Sequence, residues 1–429
     1  MEIQVKDSTI IHPAQETPKH RLRMSIMDSL TTAGHVPTVH FYQRPESNGE
    51  DGSSFFEAEV LKEALSKVLV AFYPIAGRLA RDEHGRLEID CNEEGVLFFE
   101  AQTNCVLDDL GDFTPSFKIS QLVPKTESFN HFSSCPLLLT LFKCGGVCLG
   151  IGLHHAVADG PSGIHFINTW ADVARGLPIS IAPFVDPTIL HEMTPPNPTF
   201  DHTEYHSSPS MKTQEIQTSA VVRSTSVASL KISSDQINTL KARLKKDYGA
   251  KCSTYEILTA HIWRCLCKTR GLSDDQPTRL HIPTDGRSRL NPPLPSGYLG
   301  NVIFITSLIC LAGEIQSEPL ISTIEKIHKE LKRRDDEYLK SALAYLEQNH
   351  DEMTHNLYQR AHSFKSPNLK ITSWSHMPIY EADFGWGRPI FVGRASLPIE
   401  GATYILPGPY SDKSLSLVLC LETQPHGAL

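Results

Sequence analysis

The sequence predicts a mixed α/β fold in two halves, each of which combines helices with antiparallel strands. Apolar residues recur every three to four positions over 60–69, which is the period of an amphipathic helix. Two apolar runs, 137–144 and 147–155, flank Gly145-Gly146, an arrangement typical of a β-hairpin. A segment rich in proline separates the halves, and proline both lacks a backbone donor and disfavours helix in the residue before it.

The division between the halves is marked by prolines. They are Pro178, Pro183, Pro187, Pro195, Pro196, Pro198 and Pro209. We therefore predict an N-terminal domain over 1–177, an extended crossover over 178–222 and a C-terminal domain over 223–429. Within the two domains, the sequence further predicts a strand at 86–90, a helix from Pro161 to Gly176, a helix at 254–267, and strands at 302–311 and 414–421.

Composition excludes several classes of protein. The 429 residues carry a formal net charge of −9, with 40% hydrophobic and 21% charged residues. This composition argues against a disordered chain. The negative charge argues against a dedicated nucleic-acid binder, because phosphate contacts need clustered Lys and Arg. No apolar run approaches the ~18 residues of a membrane span, so we expect neither nucleic acid nor membrane as a partner.

The cysteines and the first residues indicate a compartment. Ten cysteines are scattered along the chain, which is typical of reduced thiols rather than of a disulfide framework. Residues 1–7 show no basic region followed by an apolar run, so a secretory signal is not predicted. We therefore expect a cytoplasmic protein.

Two strings have the form HxxxDG, at 155–160 and 281–286, and their histidines, His155 and His281, are candidate catalytic bases. A histidine within hydrogen-bond reach of a substrate hydroxyl or amine can take its proton as the nucleophile attacks. His155 falls at the end of the apolar face of its predicted strand, where a turn and a helix follow. His281 also ends a strand-like run, but Pro283 and two arginines, Arg287 and Arg289, follow it.

A second pattern lies near the end of the chain. Asp383-Phe384-Gly385-Trp386-Gly387 interleaves aromatic residues with glycine. By itself this pattern is typical of a structural turn, because glycine tolerates positive φ. Together with an HxxxDG string it is far more specific than either pattern alone.

On these two patterns the chain resembles the plant BAHD acyl-CoA acyltransferases, and within that family it is similar to hydroxycinnamoyl-CoA shikimate/quinate hydroxycinnamoyltransferases. The resemblance runs over nearly the whole chain. Further matching strings lie at 63–67, 72–79, 89–92, 142–146, 165–170, 284–289, 300–304 and 371–374. The resemblance implies two chloramphenicol-acetyltransferase-like domains joined by a long crossover loop, with a solvent channel between them that admits acyl-CoA and acceptor from opposite faces.

The resemblance also implies roles for individual residues. His155 matches the family's general base, whereas His281 matches no catalytic position. Asp159, which precedes Gly160, matches an aspartate that turns away from substrate and pairs with an arginine. Arg287 or Arg289 is the expected partner, and both would share one face of a strand-like run. Asp383 matches a position sometimes considered a second proton acceptor, although we favour a structural role for it.

Acyl-CoA is expected to be a co-substrate, and no cofactor or metal is expected. Trp374, through its indole N–H, or Thr372 is the candidate donor to the oxyanion. Two segments and a short string match acyl-CoA-binding positions of the family: Ser253, Thr254, Tyr255 and Glu256; Asp285, Gly286, Arg287, Ser288 and Arg289; and Thr372, Ser373 and Trp374. For each of the first two segments, a helix N-cap or a strand end is an equally good interpretation.

The acceptor side departs from the family pattern. The string 35–42 matches the family's acceptor side, and its acceptor-binding candidates are His35, Val36 and His40. Thr372, elsewhere in the chain, is a further candidate. Shikimate enzymes more usually carry Thr and Tyr at the positions of Val36 and His40. A histidine there is more typical of rosmarinic-acid-synthase relatives. The arginine expected to bind an acceptor carboxylate is replaced by Gln359, with Arg360 one residue late.

The function predicted from the sequence is therefore transfer of a hydroxycinnamoyl group, p-coumaroyl or caffeoyl, from its CoA thioester to a hydroxyl of a small acceptor such as shikimate or quinate. His155 would act as general base without an acyl-enzyme, in a monomeric enzyme. Hydroxyphenyllactate, malate or an amine that would yield an amide remain open as acceptors. A non-catalytic binding protein on this fold is the alternative from another class, against which the presence of His155, Asp159 and Asp383 argues.

Overall fold

Two six-stranded sheets organise the chain, one in each of two compact units. The structure is a computed structural model that describes residues 1–31, 34–45, 55–125, 135–206, 209, 224–249, 252–355, 363–409 and 412–423. Unit 1 comprises Met1–Thr194, Leu294–Val302 and Met377–Ser396, and unit 2 comprises Pro195–Pro293, Ile303–His376 and Leu397–Leu429. The mixed α/β class predicted from the sequence is confirmed in both units.

Unit 1 contains the elements of the first half of the chain and one strand from the second half. In chain order its elements are β1 (Gln4–Ile11), β2 (Arg21–Arg23), α1 (Ile26–Ser29), β3 (His35–Tyr42), α2 (Ala58–Ala71), β4 (Arg78–Arg81), β5 (Leu87–Asp90), β6 (Val96–Thr103), α3 (Phe117–Ser120), β7 (Leu137–Phe142), β8 (Val147–His154), α4 (Gly160–Ala174) and α5 (Thr188–Glu192).

Unit 2 supplies most of the remaining elements, while one strand of the second half joins unit 1. In chain order these elements are β9 (Thr225–Ile232), α6 (Ser234–Tyr248), α7 (Thr254–Thr269), β10 (Pro277–Asp285), β11 (Ile303–Leu311), α8 (Ala312–Ser317), α9 (Leu320–Lys332), α10 (Asp336–Gln348), α11 (His350–His355), β12 (Leu369–Ser373), β13 (Phe391–Arg394), β14 (Ala402–Pro407) and β15 (Leu415–Glu422). Strand β13 is the one that lies in unit 1.

The large sheet of unit 1 has the strand order β1-β6-β7-β8-β3-β13, and β2, β5 and β4 form a separate small sheet. The predicted hairpin is present, because β7 and β8 pair antiparallel and Gly145 adopts φ +80 in the turn. Helices α2 and α4 cover the sheet with apolar residues at helical spacing. The indole of Trp170 in α4 is fully buried and donates to the Leu61 carbonyl of α2 at 2.9 Å, which fixes the two helices to one another.

The sheet of unit 2 has the order β11-β10-β12-β14-β15-β9. Helix α7 covers it, and the apolar face predicted from Ile257, Leu258 and Ile262 is buried. Helices α8 and α9 pack against the same core through Ile315, Ile324 and Ile327. The predicted strands at 302–311 and 414–421 correspond to β11 and β15, each within two residues at either end.

Three details differ from the sequence predictions. The segment predicted as an extended crossover contains the short helix α5, and the Asp186 carboxylate accepts the N–H of its first residue, Thr188, at 3.0 Å. The segment Asp383–Gly387, which was assigned to the C-terminal domain, folds into unit 1. Strand β8 ends at His154, one residue earlier than predicted. The domain boundaries at 177 and 223 themselves stay predictions.

The ten cysteines are all free thiols. Across the part of the chain that the structure describes, no helix is both long and apolar enough to cross a membrane.

Candidate active site

His155 is the first residue after strand β8, and its backbone N–H donates to the Gly34 carbonyl at 3.1 Å. Five residues later helix α4 begins, so the histidine lies on a short connection between two rigid elements. Its side chain is half-buried. Ring Nδ1 lies 3.1 Å from the amide Oδ1 of Asn301.

The amide of Asn301 is oriented by the groups on its other side. Nδ2 donates to the Asp28 carboxylate at 3.0 Å and to the carbonyls of His155 and Ala156 at 2.8 and 3.2 Å. A flipped amide would direct its oxygen at three acceptors, so Oδ1 must face the ring. Because an amide oxygen can only accept, Nδ1 of His155 carries the proton and Nε2 is the basic nitrogen.

Asn301 reaches this position because the segment 294–302 runs along the start of helix α4. Ser162 Oγ donates to the carbonyls of Tyr298 and Gly300 at 2.9 and 3.0 Å. Gly300 adopts φ +143, and an added Cβ would lie 3.1 Å from the Tyr298 ring and 3.3 Å from the Asp28 carboxylate. A side chain at this position would therefore strain the turn that precedes Asn301.

Asp159 is the N-cap of α4 rather than a partner of ring Nδ1 of His155. Its carboxylate accepts the N–H of Ser162 at 3.1 Å and the N–H of Val302 at 3.0 Å. The side chain is 2% exposed. Asp159 thus ties the helix start to the segment that carries Asn301, a contact that the sequence did not predict; its pairing with Arg287 or Arg289 stays a prediction.

The expectation that Arg287 and Arg289 share one face of a strand is wrong. Strand β10 ends at Asp285, and the next residues form a turn in which the Arg289 N–H donates to the Gly286 carbonyl at 3.0 Å. Arg287 contacts Asp285 at 3.1 Å. Arg289 donates to the carbonyls of Leu331 and Arg334, both at 2.9 Å, at the C-terminal end of α9, a position that favours a cation.

His281 lies in the interior of β10, four residues before the strand ends, so the expectation that it ends a strand run is also wrong. Its side chain is 3% exposed and packs edge-on against Phe364 with ring centroids 5.1 Å apart. The second HxxxDG string therefore does not present its histidine on a connection between a strand and a helix, as the first one does.

Asp383 closes its own turn. Its Oδ1 accepts the N–H groups of Gly385 and Gly387 at 2.8 and 2.9 Å, and both glycines adopt φ near +105. Phe384 is fully buried and packs edge-on against Trp170 at 4.9 Å. These contacts support the structural interpretation of this string, which anchors 377–396 in unit 1.

The segment Ser253–Glu256 forms the capping box of α7. Ser253 Oγ and N–H donate to Glu256 at 2.7 and 2.8 Å, and His328 contacts the other carboxylate oxygen at 2.7 Å. Tyr255 donates its hydroxyl to the Ile371 carbonyl at 2.9 Å. Ser253, Tyr255 and Glu256 thus have structural partners, while Thr254 starts the helix. An acyl-CoA contact by any of them stays a prediction.

The candidates Thr372, Ser373 and Trp374 lie at the end of strand β12. The backbone N–H of Trp374 donates to the Ile405 carbonyl at 2.8 Å, and its indole packs edge-on against Tyr404 at 5.5 Å. Trp374 is 8% exposed. The roles of Trp374 and Thr372 toward an oxyanion stay predictions, as does acyl-CoA binding by the turn 285–289, in which Ser288 is exposed and Gly286 is buried.

The acceptor string occupies strand β3, which pairs with β8 beside His155. His35 lies opposite His154 with ring centroids 5.0 Å apart, and Val36 lies opposite Leu153. His40 is 3% exposed, and burial lowers its pKa to about 4. His40 is therefore neutral at physiological pH. Arg360 and Gln359 lie outside the described residues.

Sequence reasoning missed Asn301 and Asp28. Asn301 belongs to the string 300–304, which was noted as a match but given no role. The spacing of Ser25 and Asp28 is that of a capping box, which is present at the start of α1. Nothing in the local pattern indicates that Asp28 also contacts a residue 273 positions away.

Comparison with known proteins finds relatives over nearly the whole chain. The model of the transferase family matches residues 1–425. The chain is 51% identical to a shikimate O-hydroxycinnamoyltransferase of Nicotiana tabacum and 44% identical to a hydroxycinnamoyl-CoA:5-hydroxyanthranilate N-hydroxycinnamoyltransferase of Avena sativa; each alignment covers 99% of this chain and 97% of the relative. Among solved structures, vinorine synthase superposes with a TM-score of 0.74 at 23% identity over 98% of this chain and 95% of that one, which supports the fold.

Proposed function

The chain belongs to the BAHD transferase family and is an acyltransferase, and we propose that it moves a hydroxycinnamoyl group from a CoA thioester to a small acceptor. The proposed acceptor group is a hydroxyl of shikimate or quinate. The sequence similarity to a shikimate O-hydroxycinnamoyltransferase supports this acceptor class.

The proposed reaction uses His155 as the general base. Nε2 takes the proton of the acceptor hydroxyl as its oxygen attacks the thioester carbonyl carbon. The tetrahedral intermediate then collapses, the carbon–sulfur bond breaks, and the imidazolium returns the proton to the departing thiolate. No acyl-enzyme forms, and neither a cofactor nor a metal takes part in these steps.

A single observation carries the assignment of the base. Ring Nδ1 of His155 faces the amide oxygen of Asn301 at 3.1 Å, and that amide is oriented by three acceptors on its nitrogen side. Nε2 is therefore the nitrogen that can accept a proton. A histidine without such a partner would divide its population between two tautomers, and only one of them could act as the base.

For the oxyanion we propose the indole N–H of Trp374, with Thr372 as the second candidate. A donor directed at the developing negative charge typically raises the rate by about two to three orders of magnitude. The polyanionic coenzyme A needs cationic partners, and the family resemblance suggests the turn 285–289. Within this turn Arg287 and Arg289 are the two cationic candidates.

We propose that the acceptor carries a carboxylate. Shikimate and 5-hydroxyanthranilate, the acceptors named for the two relatives above, are both carboxylates although one is acylated on oxygen and the other on nitrogen. Arg360 is the proposed partner of that carboxylate. His40 is a poor alternative, because burial keeps its ring neutral at physiological pH.

The test is release of coenzyme A from p-coumaroyl-CoA with a panel of acceptors: shikimate, quinate, malate, hydroxyphenyllactate, anthranilate and spermidine. We expect the highest kcat/KM with shikimate or quinate and a kcat roughly 10²- to 10⁴-fold lower in His155→Ala. Preference for anthranilate would indicate that the enzyme forms amides rather than esters. Preference for spermidine would overturn the proposal that the acceptor carries a carboxylate. A wild-type enzyme that is inactive with every acceptor would support the binding-protein alternative.

We further propose that the enzyme is a cytoplasmic monomer. Ten free thiols are compatible with a reducing compartment. Light scattering coupled to size exclusion should give the mass of one chain, 47.7 kDa, and a mass of twice that value would contradict the proposal.

A further inference from the structure

A buried carboxylate, Asp28, lies directly behind the amide that faces the proposed base. Its Oδ1 accepts two hydrogen bonds from Asn301, one from the backbone N–H at 2.7 Å and one from Nδ2 at 3.0 Å. Asp28 is 3% exposed and Asn301 is 2% exposed. The three side chains Asp28, Asn301 and His155 therefore form a chain of hydrogen bonds from the interior to the half-buried imidazole.

The two oxygens of Asp28 have separate partners. Oδ2 accepts the N–H of Ser25 at 2.9 Å and the hydroxyl of Ser25 at 2.6 Å, which completes the capping box of α1. Oδ1 contacts Asn301 instead. The capping box needs only Oδ2, so the second oxygen is available to orient the amide without cost to the helix.

We propose that Asp28 is a positioning residue that, through Asn301, holds His155 with Nδ1 protonated and Nε2 basic. This inference rests on the proposed role of His155 as the base. The carboxylate attracts Nδ2 of the amide and thereby fixes Oδ1 toward the imidazole. A charge-assisted bond is stronger than a neutral one, and the negative charge two hydrogen bonds away also favours the imidazolium that forms during attack.

The charge state of Asp28 is compatible with this role. Burial raises its pKa to about 6, against the opposing effect of the hydrogen bonds from Ser25 and Asn301. The carboxylate is therefore ionised at neutral pH, where a protonated carboxyl group would offer a weaker acceptor to the amide.

A double-mutant cycle on kcat tests the inference. Asp28→Asn keeps the shape of the side chain but removes the charge, and we expect kcat to fall about tenfold while both KM values stay within about twofold. Asn301→Ala should lower kcat at least as much. If Asp28 acts through Asn301, the double variant will be no slower than Asn301→Ala alone, whereas losses that multiply would overturn the inference.

Ser25→Ala is the matched control for a merely structural role. It removes the hydroxyl that binds Oδ2 and weakens the same capping box, but it leaves the contact between Oδ1 and Asn301. Because the Ser25 hydroxyl also lowers the pKa of Asp28, both proteins are assayed at alkaline pH, where Asp28 is ionised with or without it. We then expect a lower melting temperature for Ser25→Ala with kcat within about twofold of the wild type. An equal fall of kcat in Ser25→Ala and Asp28→Asn would show that Asp28 only supports α1.

A measurement on the wild-type enzyme decides the tautomer even if Asp28→Asn does not fold. Protein labelled with ¹⁵N-histidine should show His155 as the Nδ1–H tautomer in long-range ¹H–¹⁵N spectra, and the His155→Ala sample identifies its signals among the 20 histidines. The Nε2–H tautomer would overturn the inference. Persisting transfer activity in His155→Ala would instead overturn the proposed function, so the two failures are distinguishable.

Discussion

The two HxxxDG strings share the same pattern but have different structural settings. His155 lies on the connection that follows β8, with its ring against Asn301, whereas His281 is buried in the interior of β10. Asp159 caps a 15-residue helix, while Asp285 ends its strand at an exposed turn. The same pattern therefore places one histidine on a connection between a strand and a helix and the other in the interior of a strand.

The largest expected effect separates the two histidines. His155→Ala should lower kcat by roughly 10²- to 10⁴-fold, because no other group would take the acceptor proton. His281→Ala should keep most of the activity and lose stability instead, because it leaves a gap beside Phe364. The measurement is coenzyme A release per folded enzyme, and equal losses of kcat in the two variants would break the comparison.

The two aspartates should differ in stability. Asp159→Asn leaves one of two buried backbone N–H groups without an acceptor, and we expect a loss of about 2–3 kcal/mol in the free energy of unfolding. Asp285→Asn alters an exposed contact and should cost less than ~1 kcal/mol. Urea denaturation of both variants provides the values. Similar losses would mean that Asp159 does not tie α4 to the segment 294–302.

A substitution at Arg360 tests acceptor binding separately from proton transfer, which is the role proposed for His155 of the first HxxxDG string. Arg360→Ala should raise the KM for a carboxylate acceptor at least several-fold, because the lost charged contact is worth ~2 kcal/mol or more, and it should leave the KM for acyl-CoA nearly unchanged. Gln359→Ala is the control at the neighbouring position. An acceptor KM that is unchanged in Arg360→Ala would show that Arg360 does not bind the acceptor carboxylate.

The smallest effect is expected at Asp383. Asp383→Asn retains an oxygen that can accept the Gly385 and Gly387 N–H groups, so kcat should stay within about threefold of the wild type. Asp383→Ala should instead lower the melting temperature. If Asp383→Asn lost as much activity as His155→Ala, Asp383 would be a second proton acceptor and the first string would not supply the base alone.

Patterns that depend on neighbours in sequence were predictable. The apolar period of α2, the Gly145-Gly146 hairpin and the run 147–155 each specify an element locally, and all three are present. Errors occurred where tertiary contacts decide. His281 appeared to end a strand, but β10 continues to Asp285 because β11 pairs with it along its whole length.

The sequence by itself determined the fold class and the family and indicated His155 as the candidate base, because periodicity, glycine turns and the HxxxDG string are all local features. Only the tertiary structure decided which partner the base has. Asn301 and Asp28 lie 146 and 273 positions from the residues that they contact, His155 and Asn301 respectively. Their pairing depends on the fold that brings 294–302 beside helix α4, and no spacing along the chain records such a contact.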